Sequence, residues 1–192
     1  MAIRKKAEYT DEQLVELIIN GESKYFGSLY ERYREKVYSK CLGMTHNAII
    51  AEDHTQDILM KAMQALTTYK GDAKFSTWLY SITYNHCIDY LRKHKRIRFD
   101  DWAELLEIPE ENNEEEVIKI MELHKERLTL LLELLKPADK AIIILKYWEG
   151  MELERIQYIL SIDSMPALKM KLLRARKRLR AFHNKFHPVI KA

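Results

Sequence analysis

KFSTWLYSITYNHCIDYLRKHKR, residues 74–96, repeats its apolar side chains at the spacing of an amphipathic helix. At about 100° per residue, one arc of this helix is apolar and is made of Leu79, Tyr80, Tyr84, Cys87, Ile88, Tyr90 and Leu91. The opposite arc is made of Trp78, Ser81, Asn85, Asp89, Arg92 and Arg96. An aromatic ring, an amide and guanidinium groups on one face can stack on bases, hydrogen-bond to base edges and neutralise phosphates. The pattern predicts a helix with one packed face, whose second face meets either water or nucleic acid. Trp78 fits either face.

The same helical period runs through the rest of the chain. It predicts helices at 11–20, 22–44, 48–68, 74–95, 117–135, 137–149, 152–160 and 165–184. No stretch has the alternation of a strand, and glycine and proline are scarce, at 5 and 4 residues. Asp11 is a candidate N-cap for the first helix, and Pro137 stands where a first-turn proline is tolerated. We therefore expect an all-α fold.

An acidic segment divides the chain. Residues 98–117 contain Pro109, paired asparagines and a cluster of acids, all of which are poor material for a packed core. We expect a flexible acidic linker here. It would join a small helical domain at 1–97 to a second one at 118–187.

Composition also bears on where the protein acts and on the state of its cysteines. No apolar run reaches the roughly 20 residues of a membrane span, and the N terminus lacks the apolar segment of a signal peptide. We therefore expect a cytoplasmic protein. Cys41 and Cys87 lie far apart in the sequence, so we expect reduced thiols rather than a disulfide framework.

The C-terminal third has the outline of a helix-turn-helix. LERIQYIL at 153–160 and a short polar connection precede a longer helix that opens on Ser164. The apolar stripe of that helix is made of Leu168, Leu172, Ala175 and Leu179. Eight Lys or Arg residues and no acid lie between Lys169 and Lys185. This arrangement indicates a helix that enters a DNA major groove, or a basic helix that faces water or an acidic protein surface.

A second amphipathic segment lies at 51–66. Its apolar stripe is made of Ala51, Ile58, Leu59, Ala62, Met63 and Leu66. Its polar face is made of Asp53, Gln56, Asp57, Lys61 and Gln64. From the pattern alone this face is a solvated one. The loop YKGDAK at 69–74 that follows either holds an extruded base or merely connects two helices.

Metal binding and catalysis find little support in the spacing of the reactive side chains. The candidate ligands are His46, His54, His86, His94, Cys41 and Cys87. Their spacings match no ligand pattern, and the chain has neither a glycine-rich phosphate loop nor a nucleophile elbow. We expect no metal, no cofactor and no catalytic activity.

Four blocks of the chain resemble, in order and spacing, the extracytoplasmic-function (ECF) sigma factors of bacteria. They are AEDHTQDILMKAM, YKGDAKFSTWLYSITYNHCIDYLRK, LLKPADKAIIILKYWEGM and ALKMKLLRARKRLR. The second is the most specific, with F-x-T-W-L, an Asn seven residues after the Trp and an Asp four residues later. The resemblance implies two helical domains, regions 2 and 4, joined by a flexible linker. It also implies a subunit that binds RNA polymerase core, recognises −35 DNA as duplex and melts the −10 element.

The resemblance assigns roles to three sets of residues. The polymerase set, which would contact the core enzyme, is Asp53, Gln56, Asp57 and Lys61. The −10 set is Tyr69, Lys70, Lys74, Trp78, Asn85, Arg92 and Arg96. The −35 set is Ser164, Lys169, Lys171, Arg174 and Arg176. An inhibitory anti-sigma protein is a further expected partner.

The helix-turn-helix departs from the family pattern. Arg155, Ile156 and Gln157 replace the common E-I-A, and Ser161 stands where a small Gly is usual. The larger Gln157 must point away from the close-packed position or push the helices apart. The turn is one residue longer, and Lys140 replaces a usual Arg. The alternative to a sigma factor is a helix-turn-helix regulator that binds duplex DNA without polymerase, and the first domain distinguishes the two.

Overall fold

The computed structural model describes residues 9–94, 114–123 and 125–190. Throughout these ranges the regular elements are helices, which confirms the expected all-α fold. The helices are α1 (Asp11–Ile19), α2 (Phe26–Thr45), α3 (Ala48–Gln64), α4 (Phe75–His94), α5 (Glu114–Met121), α6 (Lys125–Glu133), α7 (Pro137–Ile143), α8 (Leu153–Ile159) and α9 (Met165–Ile190). No helix within the described ranges is both long and apolar enough to cross a membrane.

The segment around the expected linker differs in detail from the prediction. Helix α5 begins at Glu114, within the expected linker at 98–117, and the linker residues before Glu114 lie outside the described ranges. The single helix predicted at 117–135 is two helices, α5 and α6. Both pack against α9.

Helix α1 begins with a capping box rather than with an Asp11 cap. The Thr10 hydroxyl accepts from the backbone N–H of Gln13, and the Gln13 side chain accepts from the backbone N–H of Thr10. Asp11 instead bonds to α2, where it accepts from Arg32 at 2.9 Å and from the Tyr33 hydroxyl. Burial and the Asp11 carboxylate raise the pKa of Tyr33. The expected N-cap is therefore a cross-link between α1 and α2.

The first half of the molecule, α1–α4, surrounds one end of the core. The predicted apolar arc of α4 is buried, apart from the half-buried Tyr90. Cys41 of α2 and Cys87 of α4 are both fully buried, and their sulfur atoms lie 3.8 Å apart. They are free thiols, as expected, although their spacing in the sequence does not predict that they meet.

The second half, α5–α9, is organised around α9. The predicted apolar stripe of α9, made of Leu168, Leu172, Ala175 and Leu179, is buried. Helices α5, α6, α7 and α8 all pack against it. Pro137 occupies the first turn of α7, as the sequence predicted. A π-helical turn, Ile144–Trp148, continues α7 toward the turn at Gly150.

The two halves are packed against each other. Helix α4 contacts both α7 and α8. Lys40 of α2 bonds to both carboxylate oxygens of Glu149, at 2.9 and 2.7 Å, and the Tyr84 hydroxyl donates to the same carboxylate at 3.2 Å. The fully buried Lys140 ammonium donates to the backbone carbonyl of Met44 at 2.7 Å. Buried polar bonds therefore run between the halves.

Candidate functional site

All four members of the polymerase set lie on the exposed side of α3. Asn47 fixes the start of this helix, because its side-chain oxygen accepts from the backbone N–H groups of Ile49 and Ile50. Met60, which the sequence pattern did not single out, is 62% exposed in the midst of this polar face. Its position one helical turn after Asp57 was the available signal. Met63, predicted for the buried stripe, is 40% exposed at the edge of the same face.

Tyr69 holds the loop before α4 in place. The half-buried Tyr69 donates its hydroxyl proton to the carbonyl of Ala73 at 2.8 Å, and its ring packs against Phe75 and Trp78. Gly71 has a φ of 80°, in the left-handed region that favours glycine. Lys70 and Lys74 of the −10 set are exposed on either side of this turn.

The polar arc of α4 is smaller than the sequence predicted. Trp78 is only 8% exposed, so we assign it to the core rather than to a DNA-facing surface. Asn85 and Arg92 are exposed. Arg92 bonds to Asp89 at 3.3 Å, so this acid orients the neighbouring arginine. Arg96 lies outside the described residues.

A groove between α3 and α4 contains two histidines in contact. Nε2 of His86 lies 3.2 Å from Nδ1 of His54, and the Lys61 ammonium lies 2.9 Å from Nδ1 of His86. Burial lowers the pKa of both rings, and burial together with Lys61 lowers the pKa of His86 to about 4. With Asp57 these histidines form a group able to hold a metal ion. Sequence spacing did not reveal it, since the ligands come from separate helices.

The early turns of α9 carry the exposed members of the −35 set. The Ser164 hydroxyl accepts from the backbone N–H of Ala167 at 3.3 Å, so its first role is to cap the helix. Lys169, Lys171 and Arg174 are exposed. At about 100° per residue, Lys169 lies on one flank of the buried stripe, and Lys171 and Arg174 lie on the other.

Later bases of α9 are engaged within the protein. Arg176 bonds to Glu114 at 2.9 Å and stacks on the ring of Tyr147. Its side chain is only 14% exposed. Arg180 bonds to Glu116 at 2.6 Å in the same way. Arg176 therefore joins α9 to α5, and its place in the −35 set loses support.

The turn between α8 and α9 accommodates two of the departures from the family pattern, Gln157 and Ser161. Gln157 turns its side chain toward the loop and donates to the carbonyl of Ile162 at 3.1 Å, so it bonds across the turn without separating the helices. Ser161 has a φ of 49°, in the left-handed region where a side chain costs roughly 1–2 kcal/mol. This is the position where the family commonly has Gly.

Helix α8 lies beside the polar arc of α4. Arg155 donates to the Ser76 hydroxyl at 3.3 Å, and its guanidinium lies 5.7 Å from the centroid of the Tyr80 ring. Further along, an open cleft between the two helices has Ser81 on one wall and Tyr158 on the other. Part of the α4 surface next to Asn85 is thus covered by the helix-turn-helix.

The chain is similar to known proteins in both sequence and structure. The Sigma-70 region 2 family matches residues 29–97, which include most of α2 and all of α3 and α4. The ECF RNA polymerase sigma factor SigW of Bacillus subtilis is 29% identical over 178 residues, covering 86% of this chain and 92% of the relative. The ECF RNA polymerase sigma-E factor of Escherichia coli K12 is 28% identical over 193 residues, covering 96% and 98%.

Two solved structures have a similar fold. CnrH, solved in complex with the cytosolic domain of CnrY, has a TM-score of 0.62 and 22% identity, over 91% of this chain and 97% of that one. The sigma factor RpoE of Bartonella quintana, solved with the anti-sigma factor NepR, has a TM-score of 0.58 and 21% identity, over 84% and 98%. The described helices therefore have the same overall fold as these proteins.

Proposed function

We propose that the chain is an ECF sigma factor of bacterial RNA polymerase, because ECF sigma factors are similar to it over most of its length and the Sigma-70 region 2 family matches residues 29–97. It is an alternative sigma factor that directs core polymerase to specific promoters and helps to melt the −10 element. The relatives extend over both halves, so a regulator that needs only a helix-turn-helix is the weaker explanation. We further propose that the protein acts in the cytoplasm and has no catalysis of its own.

We propose that the polymerase set binds the core enzyme. The supporting observation is that this polar face of α3 is exposed and includes two exposed methionine side chains, Met60 and Met63. Methionine is enriched in protein interfaces, where its flexible side chain fills gaps. Polar side chains around such an apolar centre resemble the rim of an interface and would fix its register.

We propose that Asn85 and Arg92 contact the −10 element and that the loop at 69–74 holds an unstacked base. An exposed amide can bond to a base edge, while an exposed guanidinium neutralises phosphate. The exposed Lys70 and Lys74 would attract the strand toward the loop. Trp78 would support this surface from below through its contact with the Tyr69 ring.

For the −35 element, we propose that Lys169, Lys171 and Arg174 contact DNA and that Ser164 supports the start of the helix. The first turns of a recognition helix lie nearest the base edges in a helix-turn-helix. These side chains extend freely from those turns. Arg176 would act instead through α5.

We infer that the packed arrangement of the two halves opens when both promoter elements are bound. Elements centred near −10 and −35 are roughly 25 base pairs apart, which is about 85 Å of duplex. A compact chain of this length has a radius of gyration of only about 16 Å. The contact of α8 with α4 must therefore separate before both elements are engaged.

An anti-sigma protein is the further partner that we propose. An apolar cleft lies between the C-terminal end of α2 and the second half, with Leu42 and Leu132 among its lining residues. Trp148 at its edge is 65% exposed. A large exposed aromatic beside an apolar cleft is a typical anchor for a protein partner.

Reconstituted transcription tests the proposed function. Run-off transcription with purified core should start at a defined promoter only when this protein is added. The double variant D53A/Q56A should lose most of this activity and bind core less tightly, while its helical content stays unchanged. Transcription no different from that of core alone would refute the function. Unchanged core affinity of the variant would refute the assignment of α3.

A further inference from the structure

A histidine pair and an aspartate converge in the groove between α3 and α4. His54 and Asp57 lie one helical turn apart on α3, and His86 faces them from α4. One ring nitrogen from each histidine and one carboxylate oxygen lie within 4.8 Å of one another. These are ligand types that bind zinc and similar ions.

The spacing of the two rings suits a shared ion. Two nitrogens bound to one tetrahedral Zn²⁺, each at about 2.0–2.1 Å, lie roughly 3.3 Å apart. Nδ1 of His54 and Nε2 of His86 are 3.2 Å apart. An N–H···N hydrogen bond has a similar length, so direct measurement must distinguish the two. The exposed Asp57 can complete the set by rotating its side chain toward the rings.

The second ring nitrogen of His54 points away from His86. This side chain is only 9% exposed, yet its Nε2 atom has no hydrogen-bond partner among the described residues. An ion bound at Nδ1 of His54 would leave the ring proton on Nε2, so this atom is not one of the ligands. His54 lies at the base of the groove, where an ion would sit.

The positive charge of Lys61 disfavours a cation in this groove, so removing that charge should change the affinity for a metal ion. Its ammonium lies 2.9 Å from Nδ1 of His86, and its side chain is exposed, so it can swing into solvent. A positive charge within a few ångströms of a divalent cation lowers the affinity for that cation.

We propose that His54, Asp57 and His86 bind one divalent transition-metal ion, best suited to Zn²⁺, with water completing the coordination. The ion would tie α3 to α4. It would also draw the Asp57 carboxylate away from the polymerase-facing surface and weaken binding to core, a second step that rests on the function proposed above. Metal binding itself is measured without polymerase, so failure of the site is distinguishable from failure of the function.

Titration of the tag-free, chelator-treated chain with Co²⁺ and with Zn²⁺ tests the site. We expect one Co²⁺ per chain with the visible absorption of a four-coordinate ion, displaced by one equivalent of Zn²⁺. Asp57→Asn and His86→Gln should each weaken Zn²⁺ at least tenfold, as expected for loss of a ligand. Lys61→Gln should strengthen it several-fold because it removes a like charge.

Asp89→Asn is the matched control. This exposed carboxylate lines the same groove but pairs with Arg92 and is not part of the ligand group. It should leave Zn²⁺ affinity unchanged. Equal weakening by Asp57→Asn and Asp89→Asn would indicate diffuse surface attraction and overturn the proposal. Binding that Asp57→Asn and His86→Gln both leave intact, with circular dichroism verifying folded variants, would overturn it as well.

Discussion

The ion pair between Lys40 and Glu149 should be a major determinant of the contact between the two halves. The side chains are 10% and 18% exposed, and one ammonium bonds to both carboxylate oxygens. Removing one partner of a buried pair costs roughly 3–5 kcal/mol. Glu149→Gln keeps an oxygen that accepts from the Tyr84 hydroxyl. The Lys40 ammonium, whose side chain is 10% exposed, can still contact some water, which lowers the cost of losing its partner. We therefore expect a loss of about 2–3 kcal/mol in the free energy of unfolding.

Urea unfolding followed by far-UV circular dichroism measures this loss. With a slope of about 2–3 kcal/mol per molar urea for a chain of this size, the midpoint should fall by about 1 M. A double-mutant cycle with Lys40→Met should give a coupling energy of about 2 kcal/mol. Asp89→Asn, which alters an exposed pair, is the control and should leave the midpoint unchanged.

Two results would refute this reasoning. A Glu149→Gln loss below about 0.5 kcal/mol would mean that the pair is no stronger than a surface pair. Additive effects of Glu149→Gln and Lys40→Met would mean that the two groups do not act on each other. A transition that splits into two steps in Glu149→Gln would instead support the role of this contact in making the halves unfold together.

Four further outcomes are expected. Ser161→Gly should raise the free energy of unfolding by up to about 1 kcal/mol in thermal melts, because relief of the left-handed strain exceeds the entropy cost of glycine. In the presence of a chelator, the free energy of unfolding should fall as the pH drops from about 6.5 toward 4, because His86 takes up a proton more readily in the unfolded chain than in the folded one. His86→Asn should remove the contribution of His86 to this fall, as measured by the urea midpoint at each pH. Lys169→Ala should weaken duplex binding and reduce the salt slope by about one, whereas Arg176→Ala should lower the melting temperature and leave the slope unchanged. Asp53→Ala alone should weaken binding to core, as measured by fluorescence anisotropy, without a change in melting temperature.

The helical period predicted most of the architecture because it depends only on which side chains avoid water. It found the buried stripe of α9 and the buried arc of α4, and with the family resemblance it pointed to the exposed face of α3. It could not place Trp78, since an aromatic at the border of two arcs is assigned only by its neighbours. Here those neighbours are the rings of Tyr69 and Phe75.

Contacts between distant segments were beyond the reach of the sequence pattern. Arg176 looked like the other bases of α9 until Glu114, from an acidic segment expected to be a linker, was found beside it. His54 and His86 are 32 positions apart, so no ligand spacing could reveal their contact. In each case the pairing is set by how helices cross, which local periodicity does not encode.

The buried bond from Lys140 to the Met44 carbonyl has a consequence for the order of folding. The last carbonyls of a helix lack partners within it. Met44 lies in the last turn of α2, and its carbonyl receives its donor from a residue 96 positions later. During synthesis the first half thus leaves the ribosome before the Met44 carbonyl can accept this hydrogen bond. The bond forms only after α7, which contains Lys140, has been made and has packed against α2. A truncated first half would therefore be less stable than the same residues within the whole chain.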